Sequence, residues 1–298
     1  MSQLKKLASQ TAIYGLSTIL GRFLNYLLVP LHTRVFDTAD YGVVSELYAY
    51  VSFFIVVLTY GMETTFFRFS QDEEKRDKVF PTAFVSIGIS SIIFMLCMGA
   101  FAQPIANSIR YPNHPEYIII FSLILGLDAI ASIPFALLRQ QSRPVKFAIV
   151  KNINIFINIL FNLYFLMLCP YMQRESNISL PFYNETIGVG YVFISNLAAS
   201  IVTLPLLSKE ILYIKKGFDT ALWWKMIAYG LPLLIVGMGG MVNETLDRAI
   251  MKYLLAAGER TMSQVGIYGA NYKLSILMSL FIQAFRFAAE PFFFSHAK

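Results

Sequence analysis

The chain has 298 residues, of which 56% are hydrophobic and 15% aromatic but only 14% charged. A soluble domain carries about 25% charged residues and needs them to solvate its surface, the 26 Phe and 17 Tyr exclude disorder, and two lone cysteines in apolar runs, Cys97 and Cys169, exclude a disulfide scaffold. The net charge of +6 comes without a basic face on a soluble module, so nucleic acid is not an expected partner, and a polytopic membrane protein remains.

A helix needs about 20 mostly apolar residues to cross the hydrocarbon core. The sequence predicts eight such spans: Thr11–Phe36, Tyr41–Phe69, Val79–Ala106, Tyr117–Leu138, Phe147–Pro170, Thr186–Ser208, Trp223–Leu254 and Val265–Phe294. The runs are long, continuous and rich in Leu, Ile and Phe, which argues for helices against alternating barrel strands. The first follows Lys5-Lys6 but is too long and too polar for a signal peptide, and is read as a retained helix. Its residues Thr11, Thr18, Arg22, Asn25 and His32 share one face, beside Tyr14 and Tyr26. The second span aligns Tyr41, Ser45, Tyr48, Ser52 and Thr59, ending at Glu63. The fourth carries Asp128, and the fifth the ladder Lys151, Asn154, Asn158 and Asn162. The seventh joins Gly237, Gly239 and Gly240 to Asn243, Glu244, Asp247 and Arg248, and the eighth aligns Tyr268, Tyr272, Ser275, Ser279, Gln283, Arg286 and Glu290. Pro30, Pro134 and Pro232 are hinge or static-kink positions.

Such polar stripes have two readings: hydrogen-bonding glue between packed helices, or the lining of a cavity, since a central Arg costs around 2.5–3.5 kcal/mol in lipid. Glue is the simpler account of the Asn ladder and of Ser52, Ser275 and Ser279. Glu244 and Arg248, four apart, could simply pair, as could Arg286 and Glu290. Arg22 has no opposite charge one turn away and is the leading cavity residue, with Arg286 next and Arg248 weaker. Asp128 reads as a proton or sodium group or as a buried structural acid, and Glu46 as a second ion-coupling candidate that could pair with Lys273. Three scattered histidines offer no metal site, no nucleotide or hydrolase motif occurs, and neither a cofactor nor an enzymatic reaction is expected.

With a cytoplasmic amino terminus, 15 Lys and Arg fall on inside segments, six outside and three (Arg22, Lys273, Arg286) within spans, as the positive-inside rule requires. An internal repeat is also visible. Tyr41-Gly42 and Tyr268-Gly269 open the second and eighth spans at an offset of 227, which also aligns Glu63 with Glu290 and Phe66-Phe67 with Phe293-Phe294. Tyr14-Gly15-Leu16 matches Tyr229-Gly230-Leu231 at an offset of 215. Spans one and two thus resemble spans seven and eight in the same orientation, a parallel repeat of the kind that builds two transporter lobes. Residues 1–212 are expected to form a six-helix lobe and 213–298 the first two helices of a second. The second lobe would need about as many residues again, so a truncated sequence is expected, or else an assembly of incomplete lobes.

Gln10-Thr11-Ala12-Ile13-Tyr14-Gly15-Leu16, Asp40-Tyr41-Gly42-Val43-Val44-Ser45-Glu46-Leu47, Tyr229-Gly230-Leu231-Pro232-Leu233, Asp247-Arg248 and Val265-Gly266-Ile267-Tyr268 resemble bacterial polysaccharide-biosynthesis membrane proteins. These are the O-antigen and capsule lipid-oligosaccharide flippases, in the superfamily that also holds multidrug extruders and the lipid II flippase. The resemblance implies two six-helix lobes about a pseudo-twofold axis in the bacterial inner membrane. It implies a polyprenyl-pyrophosphate-linked oligosaccharide as cargo, moved by rocking of the lobes, with a polysaccharide polymerase or other assembly proteins and the bilayer itself as partners. Arg22, Arg286 and Arg248 would meet the pyrophosphate, and Asn25, Tyr26 and Gln283 the sugars. The alternatives are a multidrug antiporter, which would want acidic rather than basic cavity residues, and a non-transport component of an assembly complex.

Overall fold

Short polar connections between long apolar runs make the chain cross back and forth. The computed structural model describes residues 15, 19–21, 23–72, 76–176, 180–212, 217–255, 260–275 and 278, and among them it is helical with no strand. Helix α1 (Leu28–Val35) ends at Phe36, and Asp37 caps α2 (Thr38–Thr59) by accepting the Asp40 N–H at 2.8 Å. An Asp at this position satisfies a free N–H and complements the helix dipole. The second predicted run is broken at Tyr60-Gly61, both left-handed at φ 34° and 68°, before α3 (Met62–Phe69) resumes. The third is divided at Phe101 into α4 (Arg76–Ala100) and α5 (Ala102–Ser108). Pro115 and Pro144 start α6 (Pro115–Gln140) and α7 (Pro144–Leu163), where a missing N–H costs nothing. A π-helical turn, Tyr164–Leu168, carries α7 into α8 (Cys169–Ser176). There follow α9 (Gly190–Leu206), α10 (Ser208–Ile211), α11 (Thr220–Leu254), capped by Asp219, and α12 (260–275).

Among the described residues five segments are long and apolar enough to cross a membrane: Thr38–Phe69, Arg76–Ala100, Pro115–Gln140, Pro144–Ser176 and Thr220–Leu254. The protein is a multi-pass membrane protein, and the count is five where eight were expected. The expected sixth span is α9, only 17 residues long, with Pro205 inside its last turn. Much of the expected first and eighth spans lies outside the described residues.

Exposure is inverted relative to a soluble bundle. Ile92, Ile93 and Leu96 on α4, Phe156 and Leu160 on α7, and Ile235 and Val236 on α11 all face outward, which is costless against lipid tails. Inside, Met62, Phe66, Ile87, Ile133 and Met226 join α3, α4, α6 and α11 in one core, and Phe121, Phe165 and Phe193 centre another. Helix α11 runs antiparallel to α2–α3 along glycines. Gly237 packs on Val56, and a Cβ on Gly230 would stand 2.9 Å from the Tyr60 carbonyl oxygen. Gly239 and Gly240 face open space. A Cβ on Gly42 would collide with the Met262 carbonyl and one on Gly269 with Ser45, so the two Tyr-Gly anchors of the sequence repeat lie in neighbouring, crossing helices.

Charges gather at the two ends of the bundle. At one, Lys78 pairs with Asp219 at 2.9 Å, Arg143 with Glu210 at 3.0 Å, Lys146 with the same Glu210, and Arg139 with Glu63. These cations belong to the connections expected to be cytoplasmic. The other end holds Glu46, Arg110, Lys252 and the start of α12.

Candidate functional site

Among the described residues three polar clusters lie within or against the membrane-spanning helices. The first sits where α1, α2, α11 and α12 meet. Arg248 is nearly buried, with its guanidinium 4.3 Å from the centre of the Tyr272 ring. It donates to the Glu244 backbone carbonyl at 2.5 Å, and its Nε is 3.5 Å from Asp247, whose carboxylate also accepts from the Tyr268 hydroxyl. The expected Glu244–Arg248 side-chain pair is therefore replaced by an adjacent Asp247 contact. More than three turns into α12, Lys273 lies 5.3 Å from the centre of the Tyr41 ring and feels the positive charge of Arg248. His32, 5% exposed, feels Lys273 in turn and hydrogen-bonds Asn162 at 2.8 Å. Asn162 is braced by Asn158 just before the π-helical turn, a distortion often found at functional sites. The Tyr41 hydroxyl and Ser45 Oγ are buried here without a hydrogen-bond partner.

Of the predicted cavity residues, Arg248 belongs to this cluster. Asn25 is exposed and Tyr26 half-buried on the turn leading to α1. Arg22, Gln283 and Arg286 lie outside the described residues. Lys273 as a second cation, and the His32 ring beside it, were missed as partners of Arg248. Lys273 lay well inside the eighth predicted span, and that was the available signal; nothing local tied it to Arg248 on another helix.

A second cluster lies inside the first group of helices. The Asp128 carboxylate on α6 accepts from Ser200 on α9 at 2.8 Å and faces the charge of Lys151 on α7. Lys151 stands 4.3 Å over the Phe135 ring. Asn154 donates to Thr203 at 2.9 Å and Asn196 to the Tyr48 hydroxyl at 3.0 Å. The Asn ladder thus contains real interhelical bonds. Asp128 and Lys151 nonetheless keep exposed surface.

The third cluster centres on Glu46, fully buried, and corrects its expected partner. It pairs with Lys252 on α11 at 3.2 Å, not with Lys273. Because α11 runs antiparallel to α2, Lys252 arrives at the depth of Glu46, while Lys273 reaches the Tyr41 ring. The carboxylate also accepts from Tyr111 at 2.6 Å and Tyr50 at 3.2 Å, and Lys252 donates to the Ile109 carbonyl at 2.7 Å beneath the Tyr111 ring. Burial, and then the Glu46 charge, push the Tyr111 hydroxyl far above the usual phenol range, so it remains a donor. Both members of this pair are hydrogen-bonded from within the protein, as a structural ion pair requires.

Chemically the first cluster suits a phosphate: an Arg fork, a Lys point charge and a His converge. Tyr and Asn groups beside them can hydrogen-bond hydroxyls. No group of three or more His, Cys, Asp or Glu side chains comes together among the described residues. A family model described as "Polysaccharide biosynthesis protein" matches residues 7–296. Neither a curated protein nor a solved structure matches the chain.

Proposed function

The chain belongs to the polysaccharide biosynthesis protein family, and from that premise we propose that it is a transporter, not an enzyme, that moves a polyprenyl-pyrophosphate-linked oligosaccharide across the bacterial inner membrane for surface-polysaccharide assembly. The observation that carries the reading is the pair of cations Arg248 and Lys273, held on the Tyr272 and Tyr41 rings beside the buried His32, between α1, α2, α11 and α12. Cations inside a membrane are expensive and persist where they face a cavity or a function. A pyrophosphate is the part of such a cargo least able to enter lipid, and these donors replace its water. The prenyl tail stays in the bilayer, and the sugars meet Tyr and Asn groups around the cleft. The amino terminus is cytoplasmic in this reading, the cleft is exposed to each side in turn, and polymerase or other assembly proteins receive the product.

The test is translocation of a fluorescent polyprenyl-pyrophosphate saccharide by the reconstituted full-length protein. Lys273→Ala and Arg248→Ala are each expected to lower the rate about tenfold or more, the loss of one charge-assisted contact. The same assay on Arg22→Ala and Arg286→Ala asks whether those arginines share the site. Efflux of cationic drugs without saccharide flipping would replace this reading with the extruder. Neither activity would favour a non-transport role in the assembly complex.

A further inference from the structure

Beside the Glu46–Lys252 pair lies an apolar cavity of about 450 Å³, walled by α2, the end of α4 with α5, α6 and α11. Leu47, Phe54, Met98, Ile118 and Leu246 are among its lining residues. The volume falls within the ~300–1,000 Å³ of small-molecule sites. Most of its wall comes from membrane-spanning segments, where hydrocarbon chains, not water, are the surrounding solvent. Leu246, Ile250 and Tyr253 on α11 are outward-facing next to it, which puts its mouth toward the bilayer.

The cavity has a polar rim. Tyr50 lines it and donates to Glu46, and Ile109 lines it while its carbonyl accepts from Lys252. The next residue, Arg110, is held at φ 62° where α5 ends: its own N–H reaches the Asn107 carbonyl at 3.1 Å, and the Tyr111 N–H reaches that of Ala106 at 2.8 Å. Glycine ordinarily fills this left-handed helix-end position, and any other residue there is strained. The strained residue is a cation. Its guanidinium stacks 4.9 Å from the Tyr253 ring centre and touches the Lys252 carbonyl at 3.5 Å. Among the described residues no carboxylate pairs with it.

We propose that cavity and rim together form a binding site for an anionic phospholipid, with one acyl chain in the cavity and the headgroup phosphate on Arg110. The guanidinium fork matches phosphate oxygens with two parallel donors. The cavity accommodates a single short length of chain, which favours a phospholipid over the much longer polyprenyl tail. The lipid bridges α2, α6 and α11 and fills a gap that would otherwise forfeit dispersion contacts. The site shares no lining residue with the cationic cluster and does not depend on the identity of the cargo.

Native mass spectrometry of the full-length protein, released from nanodiscs of phosphatidylglycerol and phosphatidylcholine with identical acyl chains, reads the retained lipid. One phosphatidylglycerol should be retained in preference. Arg110→Gly, whose backbone suits the left-handed position, should cut that preference about tenfold. Ser122→Phe, which fills the cavity from α6, should abolish retention, and Ala249→Leu provides a milder filling from α11 if that variant does not fold. Equal retention of the two lipids by the wild type, or an unchanged preference in Arg110→Gly, would overturn the proposal. Added polyprenyl phosphate at equal mole fraction should leave phosphatidylglycerol in place; displacement would assign the cavity to the cargo tail and overturn the phospholipid assignment.

Discussion

Glu46 and Lys252 are taken out of water together, and each is tolerable only beside the other. Desolvating a carboxylate and an ammonium costs several kcal/mol per ion, and removing one partner of such a pair costs about 3–5 kcal/mol. Lys252→Met should therefore lower the thermal midpoint of the detergent-solubilised protein sharply. The double variant Glu46→Gln/Lys252→Met should recover most of the loss, because no charge remains stranded; the comparison of midpoints checks both. Arg110 carries the opposite signature. In lipid-free detergent Arg110→Gly should be neutral or should raise stability by about 1 kcal/mol, by relief of left-handed strain. A clear loss of stability in the same melt would mean that the guanidinium's contacts with Tyr253 and Lys252 outweigh the strain.

Between helices, glycines decide how closely segments approach. Gly61 is left-handed, and a Cβ on it would stand 2.8 Å from that of Leu233 and 2.9 Å from the Gly230 carbonyl oxygen. Gly61→Ala should thus destabilise through both conformation and crowding. Gly239, with nothing within 4 Å, is the internal control: Gly239→Ala should be neutral or gain up to about 1 kcal/mol from helix propensity. Chemical denaturation of the pair distinguishes crowding from propensity. The capping of α11 sets a pH effect. The Leu222 N–H, then Lys78, hold the Asp219 carboxyl below its ordinary value of 3.8. A depressed folded pKa means fewer bound protons in the folded state. The contribution is therefore complete above about pH 4 and is lost as pH falls through the lower folded value. Both partners are partly exposed, so the effect is small and screened by salt. Asp219→Asn keeps the cap oxygen but should flatten the acid limb of a melt-versus-pH curve.

At the scale of the molecule, the cationic cluster and the Asp128–Lys151 cluster occupy different places and suit different tasks. The cationic cluster gathers α1, α2, α11 and α12, while Asp128 is held among α6, α7 and α9. Asp128→Asn should alter the pH dependence of transport in liposomes and leave cargo affinity unchanged. Lys273→Ala should do the reverse. If Asp128→Asn leaves the pH profile unmoved, the carboxylate is a structural acceptor for Ser200. The Glu46–Lys252 pair ties α2 and the loop after α5 to α11, so the last long helix is fastened to the earlier ones by charge at one end, by glycine contacts along its length and by Lys78–Asp219 at the other.

Sequence alone determined that the chain is a helical membrane protein, where most apolar runs lie, and which family its motifs resemble. These depend on hydropathy, run length and short local motifs, all of which are read within one segment of chain. The break at Tyr60-Gly61 was not legible, because a Tyr-Gly pair has no fixed conformation until α11 packs against it. Nor was the partner of Glu46, 206 positions away in Lys252, or the meeting of Arg248 with Tyr272 and Lys273. An α-helix turns about 100° and rises 1.5 Å with each residue. A polar stripe therefore names the face but not the neighbour. Only the packed bundle, which fixes the rotation and depth of every helix together, decides which charges meet.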